Sequence, residues 1–470
     1  MKTSFSIRHL LIGIALIVAL WLALGPLAAA NPLAARSAAV VLVTLALWST
    51  GALPPFLTSL IFFGLVLIFG LARPDLIFSG FGSAAVWLIV SGFIIGAAIT
   101  TSGLGQRMAS VLAPLLTASY PRMIAGLTLA SAALGFVMPS SVGRAVVLVP
   151  VGMALADRMG FGKGSNGRIG IAATLAMACN MPSFAILPAN IPNMILAGAS
   201  ETLHGASFGY TEYLLLHFPI LGILKSVLMV GLVLMMFPAR IHPQQVIVGK
   251  STPTPAAGDD KPADAGAQRR VAIVLLVTLA LWMTDKLHGI NPAWIGIATA
   301  VILLMPRIGV VAPKSFNTSV DFGMVLFVAA ALGLGALVNA SGLGQVVGQV
   351  LEKVLPLSPG RDALNFLSLS AMSTLTGIVT TIPGVPTVLT PMAPDLATAS
   401  GFSLPAVLMT QVIGFSTVLF PYQVGPLIVA MQLSGEKLGH LLKITLPLAL
   451  ITFVVLLPLD YLWWKLLGWL

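Results

Sequence analysis

Residues 136–150 read FVMPSSVGRAVVLVP, and this stretch decides how the rest of the chain is interpreted. One apolar run reaches Met138 and stops at Pro139, and a second begins at Arg144. Each run holds only about a dozen apolar residues, whereas crossing a bilayer takes roughly 20. The pattern therefore predicts a re-entrant helical hairpin with a polar tip at membrane depth. Non-helical backbone is stable there only where protein or a watery cavity surrounds it.

The composition indicates a polytopic membrane protein. Hydrophobic residues make up 58% of the chain and charged residues 8%, whereas a soluble domain is about 25% charged. The 470 residues leave room for roughly ten to twelve spans. The net charge of +10 is explained by basic cytoplasmic loops, so nucleic acid is not expected as a partner. The single cysteine, Cys179, excludes an intramolecular disulfide and a cysteine-based metal cluster, and no cofactor is expected.

The fold class predicted is all-α, with about 11 transmembrane helices and the lipid bilayer as surroundings. With the N-terminus in the cytoplasm, 16 Lys and Arg residues fall on the cytoplasmic side and 6 on the other, as the positive-inside rule requires. Residues 1–240 form an N-terminal half of six spans with a cytoplasmic-side hairpin at 123–156. Residues 241–270 form a cytoplasmic linker. Residues 271–470 form a C-terminal half of five spans with a periplasmic-side hairpin at 364–399. The expected location is the bacterial inner membrane.

Three motifs occur twice in the same order, at separations of 239, 241 and 233 residues. The pairs are Ser102–Gln106 with Ser341–Gln345, Pro139–Pro150 with Thr380–Pro391, and Leu187–Ala197 with Phe420–Ala430. An odd number of predicted spans separates equivalent motifs, so the two halves should lie in opposite orientations. Inverted repeats, with a hairpin and a broken helix in each half, are typical of alternating-access transporters.

These motifs resemble the divalent anion:sodium symporter (DASS) family of the ion-transporter superfamily, over nearly the whole chain. The resemblance implies an elevator-type homodimer that carries dicarboxylates, citrate or sulfate, with substrate and sodium between each hairpin tip and a helix break. The family's Ser-Asn-Thr tip corresponds to Ser140-Ser141-Val142 and to Thr381-Ile382-Pro383. Its Thr-Pro-Pro-Asn break corresponds to Asn190-Ile-Pro192-Asn193 and to Gln423-Val-Gly425-Pro426. These departures leave the substrate and the sodium stoichiometry open.

The tips and breaks supply the candidate binding residues. Helix N-termini at a hairpin tip attract anions, and hydroxyl and amide groups can donate to an anion or lend lone pairs to a cation. The predicted substrate-binding residues are Ser140, Ser141, Arg144, Asn190, Thr380, Thr381 and Gln423. The predicted cation-binding residues, for Na+ or H+, are Ser140, Ser141, Gly143, Ala189 and Thr381. The competing interpretation is ordinary helix capping with no ligand.

Arg144 and Lys225 fall inside apolar runs, and His217 lies near the end of a predicted span. An arginine at membrane depth normally marks function, and Arg144 is predicted to hold the substrate anion or to replace a bound cation. The alternatives are that it snorkels to the surface or pairs with Asp157. Lys225 is expected to snorkel, and His217 to lie at a membrane interface.

The function predicted is secondary active symport of a small anion, such as a di- or tricarboxylate or a sulfate-like anion. The alternatives within the superfamily are an arsenite-type transporter and the large subunit of a binding-protein-dependent (TRAP-like) system. A membrane enzyme is not expected. All fourteen acidic residues fall at predicted span ends or in loops, and the chain has no His-x-x-Glu-His-like metal motif.

Overall fold

The computed structural model describes residues 7–105, 107, 119–138, 140–241 and 265–470. Gln106 of the first repeated motif, Pro139 of the first hairpin tip and most of the linker lie outside the described residues. Within the described ranges the secondary structure is helical, with no strand.

In the part of the N-terminal half that the structure describes, nine helices are longer than five residues. Most begin at or next to a proline or behind a Ser or Asn cap, because the first turn has no internal partner for its N–H groups. They are α1 (Ile7–Leu24), α2 (Pro32–Thr50), α3 (Pro55–Ile68), α4 (Ala84–Ser102), α5 (Tyr120–Val137), α6 (Ser141–Arg158), α7 (Asn166–Ala178), α8 (Ile191–His204) and α9 (Tyr210–Met236).

The C-terminal half contributes another nine. They are α10 (Ala265–Met283), α11 (Pro292–Leu304), α12 (Phe322–Ala340), α13 (Leu343–Val354), α14 (Asp362–Thr380), α15 (Gly384–Ser400), α16 (Leu404–Phe415), α17 (Gly425–Ser434) and α18 (Leu438–Leu466). Helix α10 starts inside the segment that the sequence assigned to the linker. One-turn helices and 3-10 turns join the longer elements.

Length and hydropathy make eight of the described helices candidates for crossing a membrane, or nine if the bent pair α15–α16 counts as one span. The two helices of that pair meet at 116°. Helices α1, α3, α11 and α17 are apolar but shorter. A polytopic membrane protein is therefore confirmed, whereas the predicted count of eleven spans is not.

The same succession of elements occurs in both halves. A buried apolar helix (α4 or α12) precedes two helices that meet at a hairpin tip (α5–α6 or α14–α15). A helix interrupted by 3-10 turns follows (α7–α8 or α16–α17). A long helix with a π-helical segment ends each half: Phe218–Leu224 lies in α9 and Thr452–Leu456 in α18.

The two halves pack against each other reciprocally. The second hairpin helix of each half packs on the other half's broken helix, α6 on α17 and α15 on α8. Backbone contacts are close and reciprocal as well. A Cβ at Gly80 would lie 2.4 Å from the carbonyl oxygen of Ala329, and one at Gly333 would lie 2.4 Å from that of Ile77. Only glycine allows these approaches, and a single large core joins the two halves.

Candidate functional site

The first hairpin turns between Met138 and Ser141, where the sequence predicts it. Helix α5 ends at Val137 and α6 begins at Ser141. Ser140 caps α6, since its Oγ accepts a hydrogen bond from the Gly143 N–H at 3.0 Å. The remaining N–H groups of this first turn are available to a ligand.

The first helix break lies between α7 and α8. Prolines at 182, 188 and 192 remove N–H donors from a regular helix, and the chain forms two 3-10 turns, Pro182–Ala185 and Leu187–Ala189. The Asn193 amide fixes this shape by donating to the carbonyls of Ser183 and Ile186, both at 2.9 Å. Asn190, at the start of α8, donates to Ser183 Oγ at 3.4 Å.

Arg144 joins the hairpin tip to this break. Its side chain is 0% exposed, which excludes snorkelling. Its guanidinium donates to the carbonyl of Cys179 through Nε (3.1 Å) and Nη2 (2.8 Å), and to the carbonyl of Met138 through Nη1. Nη2 also donates to Ser141 Oγ at 2.9 Å and to the Ala189 carbonyl at 3.3 Å.

The alternative pairing of Arg144 with Asp157 is wrong. The Asp157 carboxylate bonds to Arg168 instead, on the neighbouring helix α7. Arg144 therefore has protein carbonyl and hydroxyl oxygens as its partners, all from the tip and the break, rather than a carboxylate.

The second hairpin tip contains a strained residue. Helix α14 ends at Thr380, and Thr381 adopts a φ of 66°, which is rare for a β-branched residue. The Thr380 hydroxyl donates to the carbonyls of Thr376 and Thr381, at 2.9 and 3.1 Å. The N–H of Ile382 donates to the carbonyl of Gln423 at 3.3 Å, so this tip docks on the break of its own half.

Gln423 organises the second break. Its Oε1 accepts hydrogen bonds from the N–H groups of Leu419 and Phe420, at 2.9 and 2.8 Å. Its Nε2 is buried without a partner. A buried donor of this kind is expensive to leave unbonded, which makes Gln423 Nε2 available for a ligand or a water.

A buried lysine reaches the same break, against the expectation that it snorkels. Lys225 follows the π segment of α9 and is 2% exposed. Its Nζ donates to the Ser416 carbonyl at 2.8 Å and lies 3.4 Å from Ser416 Oγ. The carboxyl group of Asp460 on α18 is buried in the same region. Both Asp460 oxygens are buried without a hydrogen-bond partner.

The ring of His217, which the sequence places near a membrane interface, is fully buried within the protein. It packs edge-on against Tyr213 and Trp464, and its Nε2 lies 3.3 Å from the Met409 sulfur. Asp460, expected at a span end, is likewise fully buried inside α18.

A cavity of about 40 Å³ lies between the first hairpin tip, helix α4 and the starts of α8 and α17. It is lined at the tip by Ser140, Ser141 and Val142, at the start of α8 by Asn190, Ile191 and Met194, at the start of α17 by Pro426, and on α4 by Ile89 and Phe93. First-turn residues of three helices, α6, α8 and α17, therefore line one small space. Helix N-termini present free N–H groups and a positive dipole end.

The structure divides the predicted site residues into two groups. Ser140, Ser141 and Asn190 line the cavity. Arg144, Gly143 and Ala189 belong to the same tip and break, where Arg144 reaches the cavity through the Ser141 hydroxyl. Thr380, Thr381 and Gln423 gather at the second tip and do not line that cavity.

Sequence reasoning missed three polar groups. Asn180, directly after the Cys179 carbonyl, has both amide atoms buried without a partner. Lys225 was expected to snorkel, and Asp460 was placed at a span end. For Asn180 the proximity to Pro182 was a usable signal, whereas the burial of Lys225 and Asp460 depends on how α9 and α18 pack.

The hairpin and the broken helix in each half, inside a polytopic helical chain, define a membrane transporter fold. A family model described as a citrate transporter matches residues 43–414, and the chain belongs to this family. The match confirms the resemblance seen in the sequence, and it makes the chain a transporter rather than an enzyme.

Individual relatives agree with this assignment. A membrane protein of Cupriavidus necator is 28% identical over 397 residues, which cover 83% of this chain and 76% of that protein. The sodium-dependent dicarboxylate transporter SdcS of Staphylococcus saprophyticus is 20% identical over 342 residues, 66% of this chain and 64% of that one. The crystal structure of the Alcanivorax borkumensis YdaH transporter has a TM-score of 0.52 at 16% identity, covering 86% of this chain and 89% of that chain. This last likeness concerns the fold alone.

Proposed function

We propose that the protein is a secondary active transporter of a small organic anion of the di- or tricarboxylate class. The observation that supports this most directly is that first-turn residues of three helices, α6, α8 and α17, line the cavity beside Ser140, Ser141 and Asn190. Free N–H groups and dipole ends there favour a carboxylate, and the hydroxyl and amide side chains add hydrogen bonds.

The cavity is too small for such an anion in this structure. Its volume of about 40 Å³ holds a few water molecules, whereas sites for small ligands occupy about 300 Å³ or more. The hairpin tip must therefore move away from α8 and α17 before a di- or tricarboxylate can enter. Arg144 acts as a positioning residue in this proposal, because it fixes Ser141 and the break without lining the cavity.

The mechanism that fits these elements is alternating access of the elevator type. The repeated succession of helices and the reciprocal packing of the halves support an inverted repeat, and the family resemblance supports a homodimer in the bacterial inner membrane, with its N-terminus in the cytoplasm. At the second tip, Thr380, Thr381 and Gln423 form the counterpart of the first. The proposal also includes a sulfate-like anion as a substrate and Na+ or H+ as the coupling cation, both of which the sequence predicts.

Uptake into proteoliposomes tests the proposal. Radiolabelled succinate and citrate are each offered to the purified protein, with unlabelled malate, sulfate and arsenite as competitors. Saturable uptake that carboxylates inhibit is expected. Inhibition by arsenite alone, or uptake only after a separate binding protein is added, would instead favour the other members of the superfamily.

An Asn190→Ala variant tests the position of the site. The loss of a hydrogen bond to a charged ligand costs about 1.5–3 kcal/mol, so its apparent KM should rise roughly ten- to a hundredfold. Asn291→Ala serves as the control, because the Asn291 side chain caps α11, away from the cavity.

A further inference from the structure

The first segment of each broken helix, α7 or α16, ends next to a buried basic side chain. Cys179, the cap residue after α7, presents its carbonyl to Arg144. Ser416, the cap residue after α16, presents its carbonyl to Lys225. The two cap residues are 237 residues apart, within the range of 233 to 241 that relates the repeated motifs. The two contacts therefore occupy equivalent positions in the two halves.

Such positions attract cations. The C-terminal end of a helix carries a partial negative charge and carbonyls without internal partners. In secondary transporters, unwound carbonyls and half-helix C-terminal ends are where free cations are coordinated. At the first break the oxygens of Met138, Cys179, Ala189 and Ser141 all converge, and the guanidinium of Arg144 contacts every one of them.

The two basic residues come from elements that the repeat does not relate. Arg144 lies on α6 and serves the break of its own half, whereas Lys225 lies on α9 of the first half and serves the break of the second. The buried carboxyl group of Asp460 on α18 lies in the same region as Lys225. The positive group at each break therefore comes from a different element, Arg144 from α6 and Lys225 from α9. The two contacts are independent observations.

We propose that Arg144 and Lys225 are tethered cations that take the two positions at which free Na+ would bind, so that this protein operates without Na+. The carbonyl of Ala189 and the hydroxyl of Ser141, both expected from the sequence to bind a cation, are already bonded to Arg144. This inference depends on the proposed function in one respect, namely that the two breaks take part in transport. The identity of the anion does not enter it.

The first experiment measures Na+ directly, without any anion substrate. Purified protein is placed in NaCl or choline chloride at equal ionic strength, and both binding of radiolabelled Na+ and the Tm are recorded. The wild type should bind no Na+ saturably and should show the same Tm in both salts. Saturable Na+ binding by the wild type at millimolar concentrations would overturn the proposal. Because no substrate is present, this result is independent of whether the protein carries carboxylates.

The second experiment removes each tethered charge. Arg144→Ala, and Lys225→Ala combined with Asp460→Asn, leave the carbonyls free while avoiding an unpaired buried carboxylate. Each variant should gain Na+ binding and a Tm rise of about 2 °C or more between zero and ~150 mM Na+. The controls Arg73→Ala and Lys286→Ala remove exposed charges and should gain neither. Folded variants that remain indifferent to Na+ would refute the claim that these side chains occupy cation positions.

Discussion

Replacing Arg144 with methionine should destabilise the protein even without any substrate. Methionine roughly preserves the length of the side chain but offers no donor. The carbonyls of Met138, Cys179 and Ala189 would then lose the group that they bond. Each buried polar group left unsatisfied costs about 1–3 kcal/mol. Water entry and relaxation recover part of this cost, so the free energy of unfolding should fall by about 3 kcal/mol or more.

Thermal unfolding in detergent, in Na+-free choline buffer, measures this loss as a Tm lower by several degrees. Arg144→Lys should recover only part of it, because one ammonium cannot reach oxygens on both sides as the planar guanidinium does. The matched control is Arg73→Met, whose side chain is 85% exposed and pairs with Asp75. Its Tm should change little. Wild-type stability in Arg144→Met would refute the argument that Arg144 holds the hairpin tip on the break.

Further predictions concern topology, the site and the packing of the halves. In a cysteine-free background, Gly143→Cys should react with a membrane-impermeant thiol reagent from the cytoplasmic side and Gly384→Cys from the periplasmic side; labelling of both from one side in every state would contradict the inverted arrangement. Succinate should protect a cysteine at position 142 from the same reagent, since Val142 lines the cavity, and unchanged labelling at saturating succinate would argue against this site. Gly333→Ala would place a Cβ 2.4 Å from the Ile77 oxygen and should cost about 1–3 kcal/mol of stability, measured as a lower Tm; the open position Gly231 gives the control variant Gly231→Ala.

Much of the fold could be predicted because membrane-spanning helices are recognisable in the sequence as long apolar runs. The hairpins predicted at residues 123–156 and 364–399 lie within three residues of the observed pairs α5–α6 (residues 120–158) and α14–α15 (residues 362–400). Prolines and polar residues at the first tip and the first break located the interruptions, since both features disfavour a continuous apolar helix.

The charged interior could not be predicted in the same way. Lys225 lies in an apolar run, and its sequence surroundings are the same whether it snorkels or turns inward. Its burial follows from the contact of α9 with the residues that end α16, which is a tertiary property. Arg144 was identified as important because it directly follows the tip, but its partners are backbone carbonyls, and no side-chain motif records them.

The charges of Arg144 and Lys225 are covalently attached, so they are not released on either side of the membrane as a free ion would be. If Arg144 and Lys225 serve as the protein's cations, they travel with the binding site in both directions, and the loaded and empty carriers differ only by the charge of the anion. Moving a dianion inward against an inside-negative potential then requires about 4.6 kcal/mol of electrical work per 100 mV. That work corresponds to a roughly two-thousandfold concentration bias against accumulation. Exchange of one dianion for another involves no such work, so under this proposal counter-transport would be favoured over net uptake.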